Sequence, residues 1–143
     1  MFIFTAKYKD YNDVERTEKF YFNLTEAELT EMEMSVDGGF ADMIQKIVEA
    51  QDMPTLVKVF KDFIFKSYGE KSPDGKRFMK VDENGHSLAV AFSQTEAYSQ
   101  LFMKLATDAK FASEFVNHVI PNKDDKSKAP ASTPVPPQTA NAN

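Results

Sequence analysis

The chain contains no cysteine and no tryptophan, and only two histidines occur among its 143 residues. Without cysteine there is no disulfide framework, no thiolate nucleophile and no thiolate ligand for a metal. Long apolar runs are also absent: no stretch reaches the roughly 18 residues of a membrane span, and the N-terminus lacks the regions of a signal peptide. We therefore expect a soluble protein of a reducing compartment, with no targeting segment and no membrane partner.

Positive charge is scarce as well. The 17 lysines and arginines are outnumbered by 22 aspartates and glutamates, which gives a formal net charge of -5 and a pI near 5.1. Proteins that capture a phosphate backbone usually present a basic face. The charge balance therefore predicts that nucleic acid is not a partner.

The composition divides the chain into two parts. Residues 1–121 carry regularly spaced apolar side chains, and the apolar share of 42% is enough for one modest core. From Asn122 onward Lys, Asp, Ser, Pro, Ala, Thr and Asn dominate, and such a composition cannot offset the entropy lost on ordering. We predict one globular domain over residues 1–121 and a flexible, disordered tail over residues 122–143.

The N-terminal residues alternate in the manner of a half-buried strand. One strand fits Phe2–Tyr8 and a second fits Arg16–Asn23, with the turn-forming residues Asp10–Asp13 between them. An antiparallel hairpin follows, with Phe20 and Phe22 on the same face as the phenylalanines of the first strand. Because a lone hairpin is marginal in water, helices or a partner's strand must cover that face.

Helical spacing dominates the rest of the domain. Thr25 and Glu28 match a capping box, which starts a helix with an acidic outer face that Gly38-Gly39 ends. Its predicted core stripe comprises Leu24, Ala27, Leu29 and Met32, with Val36 as a further candidate. Later helices are predicted over Phe40–Gln51, from Pro54 to Gly69, over Ser87–Phe92, over Thr95–Leu105, and over Phe111–Ile120.

The fold class that these patterns predict is α+β. It consists of an N-terminal antiparallel β-hairpin, a bundle of about five short helices packed on it, and the disordered C-terminal tail. No internal repeat is present, and the apolar positions are too irregular for a coiled coil.

A search for chemistry in the sequence finds no catalytic motif. His86 and His118, the only histidines, lie in different segments of the chain, so no metal site is expected. Neither a Gly-x-Ser-x-Gly elbow nor a phosphate-binding loop is present. The glutamates of the first helix are regularly spaced, which is typical of a solvated face. We therefore expect no cofactor and no enzymatic activity.

The segment Tyr68–Phe78 concentrates turn chemistry and charge between two aromatic helical segments. In one interpretation Ser72-Pro73-Asp74-Gly75 is an ordinary turn with proline second and glycine fourth. In the other, the loop presents three cations to an acidic partner, and aromatic residues at its ends anchor it in the core. The candidate partner-binding residues are then Tyr68, Lys71, Lys76, Arg77 and Phe78.

Four segments together resemble a family of small proteins from tailed bacteriophages. They are FYFNLT at Phe20–Thr25, FKDFI at Phe60–Ile64, YGEKSPDGKRF at Tyr68–Phe78 and SQTEAYSQLFM at Ser93–Met103. The family belongs to the virion structural module of siphophages, and its members are generally taken as tail assembly chaperones. The resemblance covers about Tyr8 to Pro121.

The resemblance implies a role in tail morphogenesis within the host bacterial cytoplasm. Such a chaperone would cover the hydrophobic helices of the tape measure protein until subunits of the tail tube protein replace it. An apolar groove for amphipathic helices suits that task, and a proline-rich tail would tether the domain without fixing its geometry. The alternative is a permanent structural protein of the virion, such as a tail or head-tail completion component. A homo-oligomer is possible in either case, because the edges of the hairpin can pair between subunits.

Overall fold

The computed structural model describes residues 1–34, 49 and 53–121 of the chain. In chain order these residues form β1 (Phe2–Lys9), β2 (Glu15–Phe22), α1 (Glu26–Met34), α2 (Met53–Ser67), β3 (Tyr68–Lys71), β4 (Phe78–Met79), α3 (Leu88–Ser93), α4 (Glu96–Thr107) and α5 (Ala109–Val119). The predicted α+β class, with its N-terminal hairpin and about five helices, is confirmed.

Four of the sequence predictions concern other parts of the chain. The helix predicted over Phe40–Gln51, apart from Glu49, lies outside the described residues, as do the core candidate Val36, the Gly38-Gly39 stop and the tail over residues 122–143. The division of the chain at residue 121 stays a prediction.

The N-terminal hairpin forms, and its aromatic residues share one face as predicted. Phe2 lies opposite Phe22 and Phe4 lies opposite Phe20, so all four rings share the face that the helices cover. At the turn the Asp13 amide donates to the Asp10 carbonyl at 2.9 Å, and Asp13 takes a positive φ of 62°, which aspartate tolerates.

The side chain of Asp10 organises this turn. Its carboxylate accepts the amides of Asn12 at 2.8 Å and Val14 at 3.0 Å, and Arg16 Nε donates to it at 2.6 Å. The Arg16 hydrogen bond and these amides hold the pKa of Asp10 below its ordinary value. The turn is thus fixed by contacts within a few residues of sequence.

The first helix begins with the predicted capping box. The Glu28 amide donates to Thr25 Oγ1 at 3.1 Å, and the Thr25 amide donates to Glu28 Oε1 at 2.9 Å. Leu24 and Met32 are buried as predicted, and Leu29 is half-buried. The assignment of Ala27 to the core stripe is wrong, because Ala27 is exposed: the buried face of α1 is centred one position further along the chain.

The core lies between the inner face of the sheet and the helices. Phe22, Phe60, Phe63 and Phe115 are almost completely buried, and Phe115 of α5 contacts Phe22 and Phe63 edge-to-face at 5.3 and 5.7 Å between ring centroids. Helix α4 packs on α2 and also on β1. Ser87, Thr95 and Asp108 cap the N-termini of the last three helices.

The largest difference from the sequence prediction follows α2. That helix was expected to run to Gly69 and to open into a loop, but it ends at Ser67 and the chain continues as β3. β3 pairs antiparallel with β2, Tyr21 opposite Gly69 and Phe22 opposite Tyr68, and then with β4. The described residues therefore form a sheet of four strands in the order β1-β2-β3-β4, and the predicted interhelical loop is a second hairpin.

Candidate partner-binding surface

The tip of the second hairpin is the predicted turn. The Gly75 amide donates to the Ser72 carbonyl at 2.8 Å, and Gly75 has a positive φ of 75°. Ser72 is buried, and its hydroxyl donates to Asp74 Oδ1 at 2.6 Å while it accepts the Arg77 amide at 3.0 Å. The Ser72 hydroxyl and the Lys76 amide hold the pKa of Asp74 below its ordinary value. The turn is therefore ordered by its own polar groups.

Gly69 in β3 is required by the aromatic residue that faces it. A Cβ atom at this position would lie 2.6 Å from Cε2 of Phe78 and 2.7 Å from the carbonyl oxygen of Met79. The Phe78 ring thus covers the bare backbone of Gly69. This close approach explains why a glycine stands inside the strand. Strand alternation places Phe78 and Lys71 on the face of the sheet opposite that of Tyr68, the outer face.

Tyr68 begins the hairpin on the opposite face. Its side chain is buried among the core aromatic residues, and its hydroxyl donates to Glu70 Oε2 at 3.3 Å. Burial, and then the charge of Glu70 and this hydrogen bond, raise the pKa of Tyr68. Tyr68 therefore anchors the base of the hairpin in the core.

The three cations of the candidate site are all exposed. Lys71 lies on the outer face of the sheet, where its Nζ is 4.8 Å from the centroid of the Tyr21 ring, a cation–π contact. Lys76 and Arg77 extend from the turn. No carboxylate of the described residues lies within ion-pair distance of any of the three cations.

The five predicted residues therefore do not form one patch. Tyr68 faces the core, Lys71 and Phe78 lie on the outer face, and Lys76 and Arg77 stand at the tip. Tyr68 is buried in the core as the anchoring interpretation expects, whereas Phe78 is half-buried on the outer face against Gly69. Contact of the cations with an acidic partner stays a prediction.

Around the cations, the outer sheet face is more basic than the rest of the chain. Strand alternation places Lys7, Lys9 and Lys19 on this face together with Lys71, and Glu15 is the acidic residue among them. Ile3 is 51% exposed on the same face. A chain with net charge -5 thus presents one locally positive surface.

A groove that the sequence does not indicate lies beside α1. It has a volume of about 470 Å³, and its apolar lining consists of Leu24, Met32, Phe65 and Val81. Its polar lining consists of Glu28, Glu31, Lys66, Lys80 and Ser87. The groove joins segments more than 50 residues apart along the chain, so no local pattern could have indicated it.

One ion pair organises the groove. Lys80 Nζ donates to Glu28 Oε2 at 2.9 Å and to the Lys66 carbonyl at 2.7 Å. Burial acts to raise the pKa of Glu28, but the Thr25 amide and Lys80 outweigh it and hold that pKa below its ordinary value. The ion pair holds the loop before α3 against α1 and α2.

The two histidines each contact a group within their own segment of the chain. His86 is exposed, with Nδ1 3.5 Å from Asp82 Oδ2, and His118 Nδ1 lies 2.7 Å from the Glu114 carbonyl of its own helix. Within the described parts of the chain, no group of three His, Asp or Glu side chains could hold a metal ion. No helix over residues 1–34 and 53–121 has the length and apolarity to cross a membrane.

Comparison with known proteins identifies a matching family. A family described as phage tail assembly chaperone matches residues 1–142 of the chain. No curated protein and no solved structure matches it.

Proposed function

The chain belongs to the phage tail assembly chaperone family, and on that premise we propose that it binds the tape measure protein during tail assembly in the host bacterial cytoplasm. It holds the apolar helices of that protein in solution until tail tube subunits replace it. The protein acts by binding alone and catalyses no reaction. The observation that carries this proposal is the family match over residues 1–142.

The groove beside α1 supports this mode of binding. An amphipathic helix presents apolar side chains at i, i+3, i+4 and i+7 with charged residues beside them. The groove offers apolar walls at Leu24 and Val81, and it carries charges of both signs at Glu31 and Lys66. Its volume of about 470 Å³ accommodates a few apolar side chains of such a helix.

Co-expression with the tape measure protein of the same phage tests the proposal. We expect the tape measure protein to become soluble and to co-purify with the chaperone. Val81→Asp places a charge on the groove wall, where Val81 is 50% exposed, and should abolish co-purification while the chaperone stays folded.

The matched control is Val90→Asp, because Val90 on α3 is 47% exposed and does not line the groove. It should leave co-purification unchanged. A tape measure protein that stays insoluble with the wild-type chaperone would count against the proposal. Equal effects of the two variants would mean that the groove is not the binding site.

A permanent place in the virion is the second candidate function. The observation that favours it is the sheet itself, whose strand edges can pair between subunits. Quantitative mass spectrometry of purified particles separates the two functions. A chaperone should be absent from the particles, and a structural protein should be present in a fixed ratio to the tail proteins.

A further inference from the structure

The second strand has a backbone edge that no described strand covers over most of its length. β3 pairs with β2 only at Tyr21 and Phe22, and beyond Gly69 it turns away to pair with β4. The separating strands leave an opening of about 520 Å³, lined on one side by Lys19 and on the other by Lys71. On this side, residues 15–19 of β2 meet no strand among the described residues.

Hydrogen bonds at the two ends of β2 show which of its backbone groups point to the uncovered edge. In an antiparallel pair, residues alternate between bonding to the partner strand and pointing both backbone groups away from it. The Asp10 amide donates to the Val14 carbonyl at 2.9 Å, so the even-numbered residues of β2 bond to β1. The Asn23 amide donates to the Ser67 carbonyl at 2.8 Å on the opposite side. The residues whose N–H and C=O groups point to the uncovered edge of β2 are therefore Glu15, Thr17 and Lys19.

The charges along this edge complement themselves when the strand direction is reversed. The sequence Glu15-Arg16-Thr17-Glu18-Lys19 places opposite charges at equal distances on either side of Thr17. A second copy can lie antiparallel to the first with the two Thr17 residues opposite each other. Glu15 of each copy then faces Lys19 of the other, and Arg16 of each copy faces Glu18 of the other. The same register brings the outward N–H and C=O groups of the odd-numbered residues together.

We propose that the protein self-associates through β2, where residues 15–19 of two copies form an antiparallel ladder that joins their sheets. The two Thr17 residues exchange both backbone hydrogen bonds at the two-fold axis, and a Glu15–Lys19 pair lies on each side of them. These three side chains are exposed and free to meet their counterparts. The ladder is short, so we expect a dissociation constant in roughly the micromolar range. The inference does not depend on which tail protein the chain binds.

Charge reversal tests this register. Glu15→Lys brings two lysines together and Lys19→Glu brings two glutamates together, so each variant should weaken the dimer by about tenfold or more. The double variant Glu15→Lys/Lys19→Glu restores opposite charges and should recover the wild-type constant. An equimolar mixture of the two single variants should form a heterodimer, because their facing positions then carry opposite charges throughout.

Sedimentation equilibrium of the 16.2 kDa chain measures each constant. The matched controls are Glu83→Lys and Lys110→Glu, which make the same changes of charge at exposed positions outside the sheet. Both should leave the constant unchanged. Raised salt should weaken the wild-type dimer, because its charge pairs are exposed.

Thr17→Pro tests the backbone ladder directly. It removes an amide that does not bond to β1, so the hairpin is retained and the far-ultraviolet circular dichroism should match that of the wild type. The central hydrogen-bonded pair is lost, and the variant should be monomeric.

A wild-type protein that is monomeric up to about 500 µM would overturn the proposal, and so would a dimer whose constant is insensitive to charge reversal. If Thr17→Pro leaves a wild-type dimer intact and weakens binding of the tape measure protein, the edge takes a strand of that partner and the proposal is wrong.

Discussion

The ring of Tyr68 stacks face to face on the ring of Phe92, with centroids 4.4 Å apart and planes inclined by 5°. Phe22 meets the Tyr68 ring edge-to-face at 5.5 Å, and Phe20 lies 4.9 Å from the Phe92 ring. This cluster joins the first residue of β3 to β2 and α3. The hairpin that carries the candidate cations is therefore fixed at its base by the core.

Alkaline titration should expose the role of Tyr68. Because burial and Glu70 raise its pKa above 10.0, the folded protein holds this proton more tightly than the unfolded chain. The stability that arises from the raised pKa of Tyr68 is therefore fully present below pH 10 and is lost as the pH rises above that value. Tyr68→Phe keeps the ring and removes the titration, so at about pH 11 it should retain roughly 1 kcal/mol that the wild type loses.

Urea denaturation at several alkaline pH values measures this difference. The control is Tyr11→Phe, because Tyr11 is 76% exposed at the tip of the first hairpin. The control should follow the wild type at every pH. Parallel losses of stability in the wild type and in Tyr68→Phe would contradict the prediction.

Gly69→Ala should destabilise the fold by about 2–3 kcal/mol, because the new methyl group meets the Phe78 ring and the Met79 carbonyl at distances that force a backbone shift. Truncation of Phe78 in the same chain removes only one of these clashes and should not rescue the variant. Chemical denaturation measures both free energies of unfolding.

Gly75→Ala is the informative comparison for Gly69→Ala. A Cβ atom at Gly75 meets nothing within 4 Å, and the cost arises from the positive φ of 75° alone. We expect a loss of about 1 kcal/mol. A larger loss at Gly75 than at Gly69 would refute the view that close approach, and not conformation, selects glycine in β3.

Glu28→Gln should lower stability by about 1 kcal/mol at neutral pH, since the amide cannot replace the charged contact with Lys80. The pKa of Glu28 is lower in the folded protein than its ordinary 4.5. The stabilisation by the Glu28 carboxylate is therefore present above pH 4.5 and is lost as the pH falls through the pKa of the folded protein. The stabilities of variant and wild type should converge in acid.

Thermal unfolding between neutral pH and acid pH measures this convergence. Glu31→Gln serves as the control, because Glu31 lines the same groove and is exposed. A constant difference between Glu28→Gln and the wild type over the whole range would show that the charge of Glu28 plays no part.

Replacement of Lys71, Lys76 and Arg77 by serine tests the charged hairpin. The three side chains are exposed, so the free energy of unfolding should change by no more than about 0.5 kcal/mol. If the hairpin meets an acidic partner, affinity for the tail protein should fall and depend less on salt.

The matched control for this triple variant removes three other exposed cations. They lie on α2, α4 and α5, and Lys104 among them has a cation–π contact comparable to that of Lys71. The set is Lys58, Lys104 and Lys110. Equal binding by wild type and by the hairpin variant would mean that Ser72–Gly75 is only a turn.

Local signals in the sequence predicted much of the fold. The period-two arrangement that puts Phe2 and Phe4 on one face predicted β1, and the pair Thr25 and Glu28 predicted the start of α1. Both signals depend on interactions between residues that are close in sequence. These interactions stabilise the strand or the helix start wherever the segment lies in the fold.

The second hairpin and the groove could not be predicted in this way. The sequence indicates a helix stop at Gly69, because the pairing of Tyr68 and Gly69 with β2 is too short to leave an alternating pattern in the sequence. Lys80 lies 52 residues from Glu28, so their contact depends on the tertiary fold. The candidate cations were identified from composition, but their division between the outer face and the tip depends on the strand register.

The position of Phe115 has a consequence for the protein during its synthesis. This ring comes from the last described helix, and it contacts Phe2 near the other end of the chain as well as Phe22 and Phe63. Contacts between such distant residues form late, because a long loop must close before they are made. On the ribosome, the aromatic rings synthesised earlier therefore lack their contacts with Phe115 until that residue emerges. A nascent chain that stalls before this residue exposes apolar surface of its own and becomes a client for the host's chaperones.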